Sequence, residues 1–320
     1  MRLAGTLALV AILGGPWTSA VGQSYPNKPI RLISPFAPGG GTDILARGIA
    51  TRVSDSFGQP IVVDNRPGAG GMTGAELVAK APPDGYTLIM VASTYATTSA
   101  YGRPSYDPID GIQPIILIGT TGLVMTVHPS VPAKSVKELV DYAKANPNKL
   151  NHASVGAGSI PHLALELFKL ETGIRCVHVP YKGAGPALIA LVGGEVQLTA
   201  LSMVPILPHL KAGRLRALGT THPQRSPLLP ELPTISEALP GFEVIHWYGM
   251  WGPKGMPGPI VSRWNQEVAR VLRSEEMSAR LRSEGLDAAG GPPREFAETV
   301  RRDVVKWRRV IQEAKIAREG

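Results

Sequence analysis

The chain has 320 residues, of which 43% are hydrophobic and 18% are charged, so it is long enough for one large domain or two ordinary domains with an apolar core. Its 36 glycines and 30 prolines are spread along the sequence between apolar runs, which excludes collagen-like and disordered chains. Much of the formal charge of +8 lies in residues 294–318, where apolar residues recur at helical spacing, so we expect an amphipathic helix with a solvated basic side and no nucleic-acid partner.

The chain starts like a secretory signal peptide. Met1 and Arg2 precede an apolar run that ends at Leu13, and small residues near Ala20 fit a cleavage site. A membrane-spanning helix needs about 20 apolar residues, and this run has roughly half that number. We therefore predict a signal peptide over residues 1–22 and a soluble, exported mature chain.

Short apolar runs then alternate with helical patterns. Such runs are typical of strands buried in a parallel sheet. The predicted strands in this first part are Ile30–Ser34, Ile61–Asp64 and Thr87–Val91, and the predicted helices are 43–57 and 73–80. The second of these helices opens on a possible capping box, Thr73-x-x-Glu76.

A second set of alternating elements follows after residue 130. Its predicted helices are 135–145, 161–172, 186–192 and 205–212, and its predicted strands are 150–154, 175–179, 196–201 and 215–220. The first of these helices opens on the capping box Ser135-x-x-Glu138. The two sets predict two α/β units of roughly 100 residues each.

Two extended segments connect these units. Residues 115–127, split by Gly119–Gly122, lead into the second unit, and residues 242–251 lead back. Two C-terminal helices, 260–272 and 294–317, are expected to pack on the first unit. This pattern predicts an α/β fold of two lobes, joined by a hinge, with a cleft between them. We assign 23–124 and 246–320 to the first lobe and 125–245 to the second.

Four glycine-containing loops stand where a predicted strand ends and a helix begins: 37–43, 66–74, 154–161 and 181–186. Ligands of open α/β sheets bind at the carboxyl ends of strands, where helix N-termini present unpaired N–H groups and a positive dipole end. Glycine lets the backbone come close to an anion. Each loop alone could be a tight turn, but four at equivalent places favour a site for a small carboxylate.

Motifs for catalysis, nucleotides and metals are missing from the sequence. No glycine precedes the Lys-Ser or Lys-Thr pair of a Walker loop, and Thr73 stands where a dinucleotide fingerprint needs its third glycine. Ser159 is not in an esterase elbow. The single cysteine, Cys176, excludes a disulfide or a Cys-rich metal site, and the seven histidines lack ligand spacing. We predict no metal, no cofactor and no catalytic residue.

Several ordered motifs resemble one family. They are Tyr25-Pro26-x-Lys28-Pro29, Pro35-Phe36-x-Pro38-Gly39-Gly40-x-Thr42-Asp43, Asn65-Arg66-Pro67-Gly68-Ala69-Gly70-Gly71, Pro82-Pro83-Asp84-Gly85-Tyr86, His162-Leu163-Ala164-x-Glu166 and Val179-Pro180-Tyr181-Lys182-Gly183. Together they closely resemble the tripartite tricarboxylate transporter solute-binding proteins, also called the Bug family, over essentially the whole mature chain.

The resemblance implies a type II periplasmic-binding-protein-like fold that closes like a Venus flytrap. It implies a di- or tricarboxylate, or an aromatic or other organic acid, held largely by backbone amides and waters. It also implies delivery to the membrane permease subunits of a tripartite tricarboxylate transporter. We expect a monomer that is not an enzyme. A sensor subunit that presents its ligand to a membrane receptor and an exported enzyme acting on organic acids remain alternatives.

The predicted ligand-binding residues lie in the loops and at neighbouring strand ends. They are Pro38, Gly39, Gly40, Gly41, Thr42, Asp43, Gly70, Gly71, Met72, Ser93, Thr94, Ser154, Gly156, Gly158, Ser159, His162, Tyr181, Gly183 and Ser202. Arg66 and Lys182 are the cations near the loops, and we expect recognition without an arginine clamp. Gln197 replaces an acidic residue that is common in the family, and it is either a contact for a ligand substituent or a surface or sheet residue with no ligand role.

Overall fold

A computed structural model of the protein describes residues 25–39, 41–102, 104–181, 183–283 and 285–316, apart from the side chain of Val204. The predicted signal peptide, 1–22, lies outside the described residues, and so do Gly40 and Lys182. Among the described residues, no helix combines the length and the apolarity needed to cross a membrane.

The first part of the chain forms three parallel strands, each followed by a helix. The strands are β1 (Ile30–Ser34), β2 (Ile61–Asn65) and β3 (Thr87–Ala92), and the helices are α1 (Gly41–Phe57), α2 (Met72–Ala79) and α3 (Thr94–Tyr101). The three predicted strands are confirmed to within one residue. Helix α3 was not predicted, because its threonines and serines hide the apolar periodicity of a helix.

The predicted capping box Thr73-x-x-Glu76 is wrong. Helix α2 begins at Met72, its N-cap is Gly71, and no side chain caps it. Gly71 has a φ of 96°, a left-handed conformation that glycine adopts freely, so the chain turns into the helix before Thr73 is reached. Thr73 therefore lies within the first turn.

A single long strand connects the two parts of the chain. Strand β4 (Ile112–Val127) runs without a break through Gly119–Gly122, where the sequence predicted two separate runs. Its glycines allow close approach: a Cβ at Gly119 would lie 2.7 Å from the Asp287 carbonyl oxygen, and one at Gly122 would lie 2.9 Å from the His222 amide nitrogen. Here glycine admits neighbouring chain segments and does not end the strand.

The second part of the chain is a second α/β unit, as predicted. Its helices are α4 (Val136–Ala145), α5 (Ile160–Thr172), α6 (Ala184–Val192) and α7 (Met203–Lys211), and its strands are β5 (Asn151–Ser154), β6 (Val177–Pro180), β7 (Leu198–Ser202) and β8 (Arg216–Thr220). Half of the capping box at α4 forms: the Glu138 amide donates to Ser135 Oγ, but the Glu138 carboxylate accepts from the Lys134 amide.

The chain then returns to the first part. Its last elements are β9 (Ile245–Pro253), α8 (Gly258–Arg273), α9 (Glu275–Ser283), β10 (Asp287–Ala288) and α10 (Pro293–Glu313). The strand order is β2-β1-β3-β9-β4-β7-β5-β6, with β8 and β10 also paired to β4. Helix α9 and strand β10 are short, and the sequence analysis missed both.

Packing of the C-terminal helices agrees only in part with the prediction. Helix α8 packs on α1 and β4, as expected for the first lobe. Helix α10 packs on α3 and β4 but also touches α5 in the second unit. Its predicted apolar side is buried, and Asp303 on the same helix accepts a hydrogen bond of 2.6 Å from Trp247 Nε1. The largest apolar cluster accordingly extends through both units.

The hydroxyl of Thr221 joins the two chain segments that cross between the units. It accepts a hydrogen bond of 2.9 Å from the Leu123 amide of β4 and donates one of 2.6 Å to the carbonyl of Val244, just before β9. Leu123 is also where β4 changes partners, pairing with β9 up to Gly122 and with β7 from Leu123 onward. We therefore propose that the lobes are 23–124 with 246–320, and 125–245, and that the crossing segments form the hinge.

We expect Thr221→Val to lower the free energy of unfolding by about 2 kcal/mol, because it leaves a buried amide and a buried carbonyl without their partner. Thr221→Ser keeps the hydroxyl and should cost less than half as much. Urea unfolding followed by fluorescence measures both. A loss in Thr221→Ser at least as large as that in Thr221→Val would show that the hydroxyl contributes no more than the methyl group at this position.

Candidate functional site

The carboxyl ends of both sets of parallel strands converge on one stretch of β4. Ala92, which ends β3, pairs with Tyr248 of β9, and Tyr248 pairs with Gly119 of β4. Ser202, which ends β7, pairs with Leu123. Gly119 and Leu123 are separated by about 13 Å along the strand. The loops that leave the two units therefore meet over the crossing, where ligands of open sheets bind.

Five helices that begin at these strand ends have no side-chain cap. They are α2, α3, α5, α6 and α7, and their N-cap residues are Gly71, Ser93, Ser159, Gly183 and Ser202. Serine is a preferred N-cap, and Ser135 does cap α4, which lies elsewhere in the fold. At α2 the Met72 and Thr73 amides donate to the carbonyls of Ala69 and Gly68, and at α3 the Ala96 amide donates to the Ser93 carbonyl. First-turn N–H groups of the other three helices are left for another acceptor.

Asp43 shapes the first glycine loop with its side chain. This buried carboxylate accepts hydrogen bonds from the Gly39 amide at 3.0 Å, from Arg47 Nε at 3.1 Å and from Asn65 Nδ2 at 2.9 Å. Burial acts to raise the pKa of Asp43, but these hydrogen bonds outweigh it and lower the pKa. The carboxylate is occupied within the protein, so we assign Asp43 a role in holding the loop.

The second glycine loop packs against α3. Gly70 has a φ of 62°, and a Cβ there would lie 2.6 Å from Thr98 Cγ2. Met72 Sδ lies 3.8 Å from Ser99 Oγ on the same helix. The loop after β2 and the helix after β3 therefore form one surface.

Strand β9 contributes two residues that the sequence analysis did not assign, His246 and Tyr248. His246 Nδ1 lies 2.6 Å from Ser93 Oγ, which is why Ser93 does not cap α3. The hydroxyl of Tyr248 is next to Gly41 at the start of α1, where a Cβ would lie 2.6 Å from it. The two rings touch edge to face with centroids 4.9 Å apart. The apolar pattern of 242–251 hid them, because only the pairing of β9 with β3 brings them to these loops.

The loop after β5 is held by its own polar groups and by histidines. Ser159 Oγ donates a hydrogen bond of 2.6 Å to the Gly156 carbonyl, and the Gly158 amide donates one of 3.1 Å to His162 Nδ1. A Cβ at Gly158 would lie 2.9 Å from the ring of Tyr101, at the end of α3. This loop of the second unit therefore touches the first unit directly.

The remaining predicted residues occupy the same strand ends. Thr42 and Thr94 are buried in the first turns of α1 and α3, and Pro38 lies in the first loop. The amide of Tyr181, after β6, donates to the Ser154 carbonyl at 3.1 Å. Gly40 is outside the described residues.

Gln197 is a sheet residue. It precedes β7, at the opposite end of that strand from Ser202. Its Oε1 accepts from the Asn151 amide and its Nε2 donates to the Gly194 carbonyl, both at 2.9 Å. This side chain is engaged away from the crossing, which leaves the reading of Gln197 as a ligand contact without support.

Arg66 is paired within the protein. Its Nε donates to Asp64 Oδ2 at 3.1 Å, and Arg31 binds the same carboxylate. Lys182, the other predicted cation, lies outside the described residues.

A second candidate is a cavity of about 840 Å³. It is lined by the C-terminal ends of α3 and α10, by Tyr106 and by Arg308. Helix C-termini present carbonyl oxygens and a negative dipole end, which oppose the attraction of Arg308 and Lys315 for an anion, whereas the helix N-termini at the crossing favour an anion. We therefore place the candidate site at the crossing and not in this cavity.

The sequence is similar to those of known proteins. A family model described as tripartite tricarboxylate transporter family receptor matches residues 45–316. Protein BugT of Bordetella pertussis is 33% identical over 316 residues, which cover 98% of this chain and 97% of BugT. A protein encoded in the tcbD-tcbE intergenic region of Pseudomonas sp. strain P51 is 38% identical over 92% of this chain and 88% of its own.

Solved structures share the fold. R. palustris Rpa4515 with adipate has a TM-score of 0.83 and 39% identity, covering 92% of this chain and 99% of that one. MatC from Rhodopseudomonas palustris with bound malate has a TM-score of 0.80 and 32% identity, covering 90% and 100%. The periplasmic binding protein BugD has a TM-score of 0.81 and 31% identity, covering 92% and 100%. These matches confirm the predicted periplasmic-binding-protein-like fold and the family resemblance.

We expect Gly70→Ala to weaken ligand binding and lower stability, because it combines an unfavourable positive φ with a clash against Thr98. The double variant Gly70→Ala/Thr98→Ser removes the clashing methyl group and should recover part of the loss. A double-mutant cycle in urea measures the coupling. Purely additive effects would show that the loop does not press on α3.

The buried His246 should make folding sensitive to acid. Burial lowers its pKa to about 4, below the ordinary value of 6.5, so the unfolded chain takes up this proton first. Stability is therefore lost as the pH falls from 6.5 towards 4, by at most about 1.4 kcal/mol per pH unit. Urea unfolding should show the advantage of wild type over His246→Asn shrinking across this window. A difference that does not change with pH would contradict the assignment.

Proposed function

This chain belongs to the tripartite tricarboxylate transporter receptor family, and from that premise we propose that it is a periplasmic solute-binding protein that captures a small carboxylate at the crossing between its lobes. The observation that carries the proposal is the convergence of uncapped helix N-termini from both units on one stretch of β4. A carboxylate is a natural acceptor for such N–H groups, and a hydrogen bond to a charged group contributes about 1.5–3 kcal/mol.

Ligands of two relatives support this substrate class. Rpa4515 was solved with adipate and MatC with malate, and both ligands are acyclic dicarboxylates. We propose an organic acid of this kind, held mainly by backbone amides because Arg66 is already paired with Asp64. The family also supports delivery of the acid to membrane permease subunits, and BugD supports a periplasmic location.

Binding should close the cleft. A ligand favours a closed state only if it touches both lobes, and here the N-termini of α3 and α7 belong to different units. The two crossing segments, joined through Thr221, are the connections about which the lobes would rotate.

The Ser93–His246 pair does not favour an enzyme. Ser93 is completely buried, and its hydroxyl is directed at His246 beneath the start of α3. A nucleophile must reach the carbonyl of its substrate, which this hydroxyl cannot do where it lies.

The test is calorimetry on the mature protein with adipate, malate and the uncharged dimethyl ester of adipate. We expect at least one of the two carboxylates, adipate or malate, to bind. The ester should bind at least about tenfold more weakly, because it lacks the charged acceptor. Small-angle scattering at saturation should show a smaller radius of gyration. Arg66→Ala should change affinity less than about threefold, since exposed ion pairs contribute little. Equal affinity for adipate and its ester would contradict the proposal. An unchanged radius of gyration would contradict closure of the cleft on binding.

A further inference from the structure

Three histidines from three elements stack beneath the loop Ser154–Ser159. The rings of His162 and His178 are nearly parallel, with centroids 3.8 Å apart and planes at 8°. His152 lies 4.9 Å from His178 and 6.4 Å from His162. His152 and His178 are direct partners in the parallel pairing of β5 and β6, so the register of the sheet builds the stack, and α5 adds His162.

Two of these rings hold the loop by hydrogen bonds. The Gly158 amide donates to His162 Nδ1 at 3.1 Å, and His178 Nε2 lies 2.7 Å from Ser154 Oγ. Ser154 Oγ also accepts from the Gly156 amide at 3.2 Å. His162 Nδ1 accepts a hydrogen bond, so this nitrogen carries no proton. The ring is therefore neutral with its proton on Nε2, which lies 3.7 Å from Glu166 Oε1.

The charged groups around the stack balance one another. Glu166 Oε1 lies 2.8 Å from Lys169 Nζ and 3.4 Å from His152 Nε2. The buried thiol of Cys176 also faces this pair, and burial raises its pKa to about 11. Burial opposes ionisation of Glu166, but hydrogen bonds from His152 and Lys169 lower its pKa to about 2. Glu166 is therefore ionised and Cys176 is neutral throughout the range in which histidines titrate.

Burial disfavours a charge on any ring of the stack. It lowers the pKa of His162 to about 4 and that of His178 to about 3, and the neighbouring rings act in the same direction. A protonated His162 would turn an N–H towards the Gly158 N–H, so it could not keep that hydrogen bond. A proton on His178 would place a cation 3.8 Å from the His162 ring.

We propose that the stack of His152, His162 and His178 positions the loop Ser154–Ser159 for the ligand, and that a proton taken up by the stack releases the loop and weakens binding. This inference rests on the proposed function, because the loop begins α5 at the crossing. A released loop exposes rings that bind protons more readily than the ordered stack does. Acid therefore favours the released loop, and affinity falls as the pH falls below 6.5.

Three variants separate positioning from protonation. His162→Asn keeps an acceptor near the position of Nδ1 but cannot take up a proton, whereas His162→Ala removes the acceptor. His178→Phe keeps a flat ring in the stack without a titrating group, and it also removes the contact of Nε2 with Ser154 Oγ, so its affinities at the two pH values are compared with each other. The matched control is His128→Asn at the end of β4, because that ring bonds Ser130 and is remote from the loop. The probes are adipate and malate, titrated by calorimetry at about pH 7.5 and about pH 5, on either side of the ordinary histidine value.

We expect His162→Ala to weaken binding by about three- to tenfold at the higher pH, which is the range for one lost hydrogen bond. His162→Asn should bind within about twofold of wild type there and lose less affinity than wild type at the lower pH. His178→Phe should also lose less affinity than wild type between the higher and the lower pH. The control His128→Asn should bind like wild type at both pH values. Ionisation of the acid itself is common to all variants, so it cancels in the comparison.

Two results would overturn the inference. Wild-type affinity in a folded His162→Ala would show that His162 does not position the loop. A loss on acidification as large in His162→Asn/His178→Phe as in wild type would show that neither of the two rings that hold the loop is the proton acceptor. If no acid binds to wild type, the proposed function fails instead. Hydrogen exchange of the Gly158 amide in the ligand-free protein then tests whether His162 positions the loop. Exchange should be faster in His162→Ala than in wild type, but not in His162→Asn. Equal exchange rates in the two variants would refute the positioning role.

Discussion

The two-unit architecture depends on one strand that hydrogen-bonds to both units. Strand β4 pairs with β9 up to Gly122, with β7 from Leu123 and with β8 from Val124, so it belongs to both units without a connecting loop. At that change of partner, the Thr221 hydroxyl binds the amide of Leu123 and the carbonyl of Val244. A buried amide and a buried carbonyl must find partners wherever a sheet divides. One hydroxyl supplies both here, which ties the outgoing and returning segments at a single point.

The site follows from the direction of the strands around that crossing. In each unit, parallel strands end at the same edge, and the antiparallel pairing of β4 with β7 turns the second unit so that its edge meets that of the first. Helices therefore begin on both sides of the crossing. Leaving their N-termini without side-chain caps forgoes about 1 kcal/mol for each serine that does not cap. Such a cost is typical of binding sites, where a ligand supplies the missing partner.

Several buried polar groups in this protein are paired with a hydrogen-bond partner or with an opposite charge. His246 binds Ser93, the stacked histidines bind the loop Ser154–Ser159, and Asp303 accepts from Trp247. The ionised Glu166 is matched by Lys169 at 2.8 Å. Neutral imidazoles can be buried at lower cost than charged groups, and they still orient a hydroxyl or an amide. Burial of neutral histidines also makes the protein sensitive to acid, because the unfolded chain binds their protons more readily as the pH falls.

The sequence alone determined the elements whose pattern is local. Strands β1, β2 and β3 were predicted to within one residue, and the four glycine loops do stand between a strand and a helix, because apolar runs and glycine breaks are properties of neighbouring residues. Motif order likewise sufficed to identify the family. Helix α3 and the unbroken course of β4 were not predictable in this way, since their stability comes from packing and pairing with distant segments. Only the tertiary structure brought His246 to Ser93, Tyr248 to Gly41 and three histidines into one stack, because strand register and sheet order join residues that are far apart in the chain.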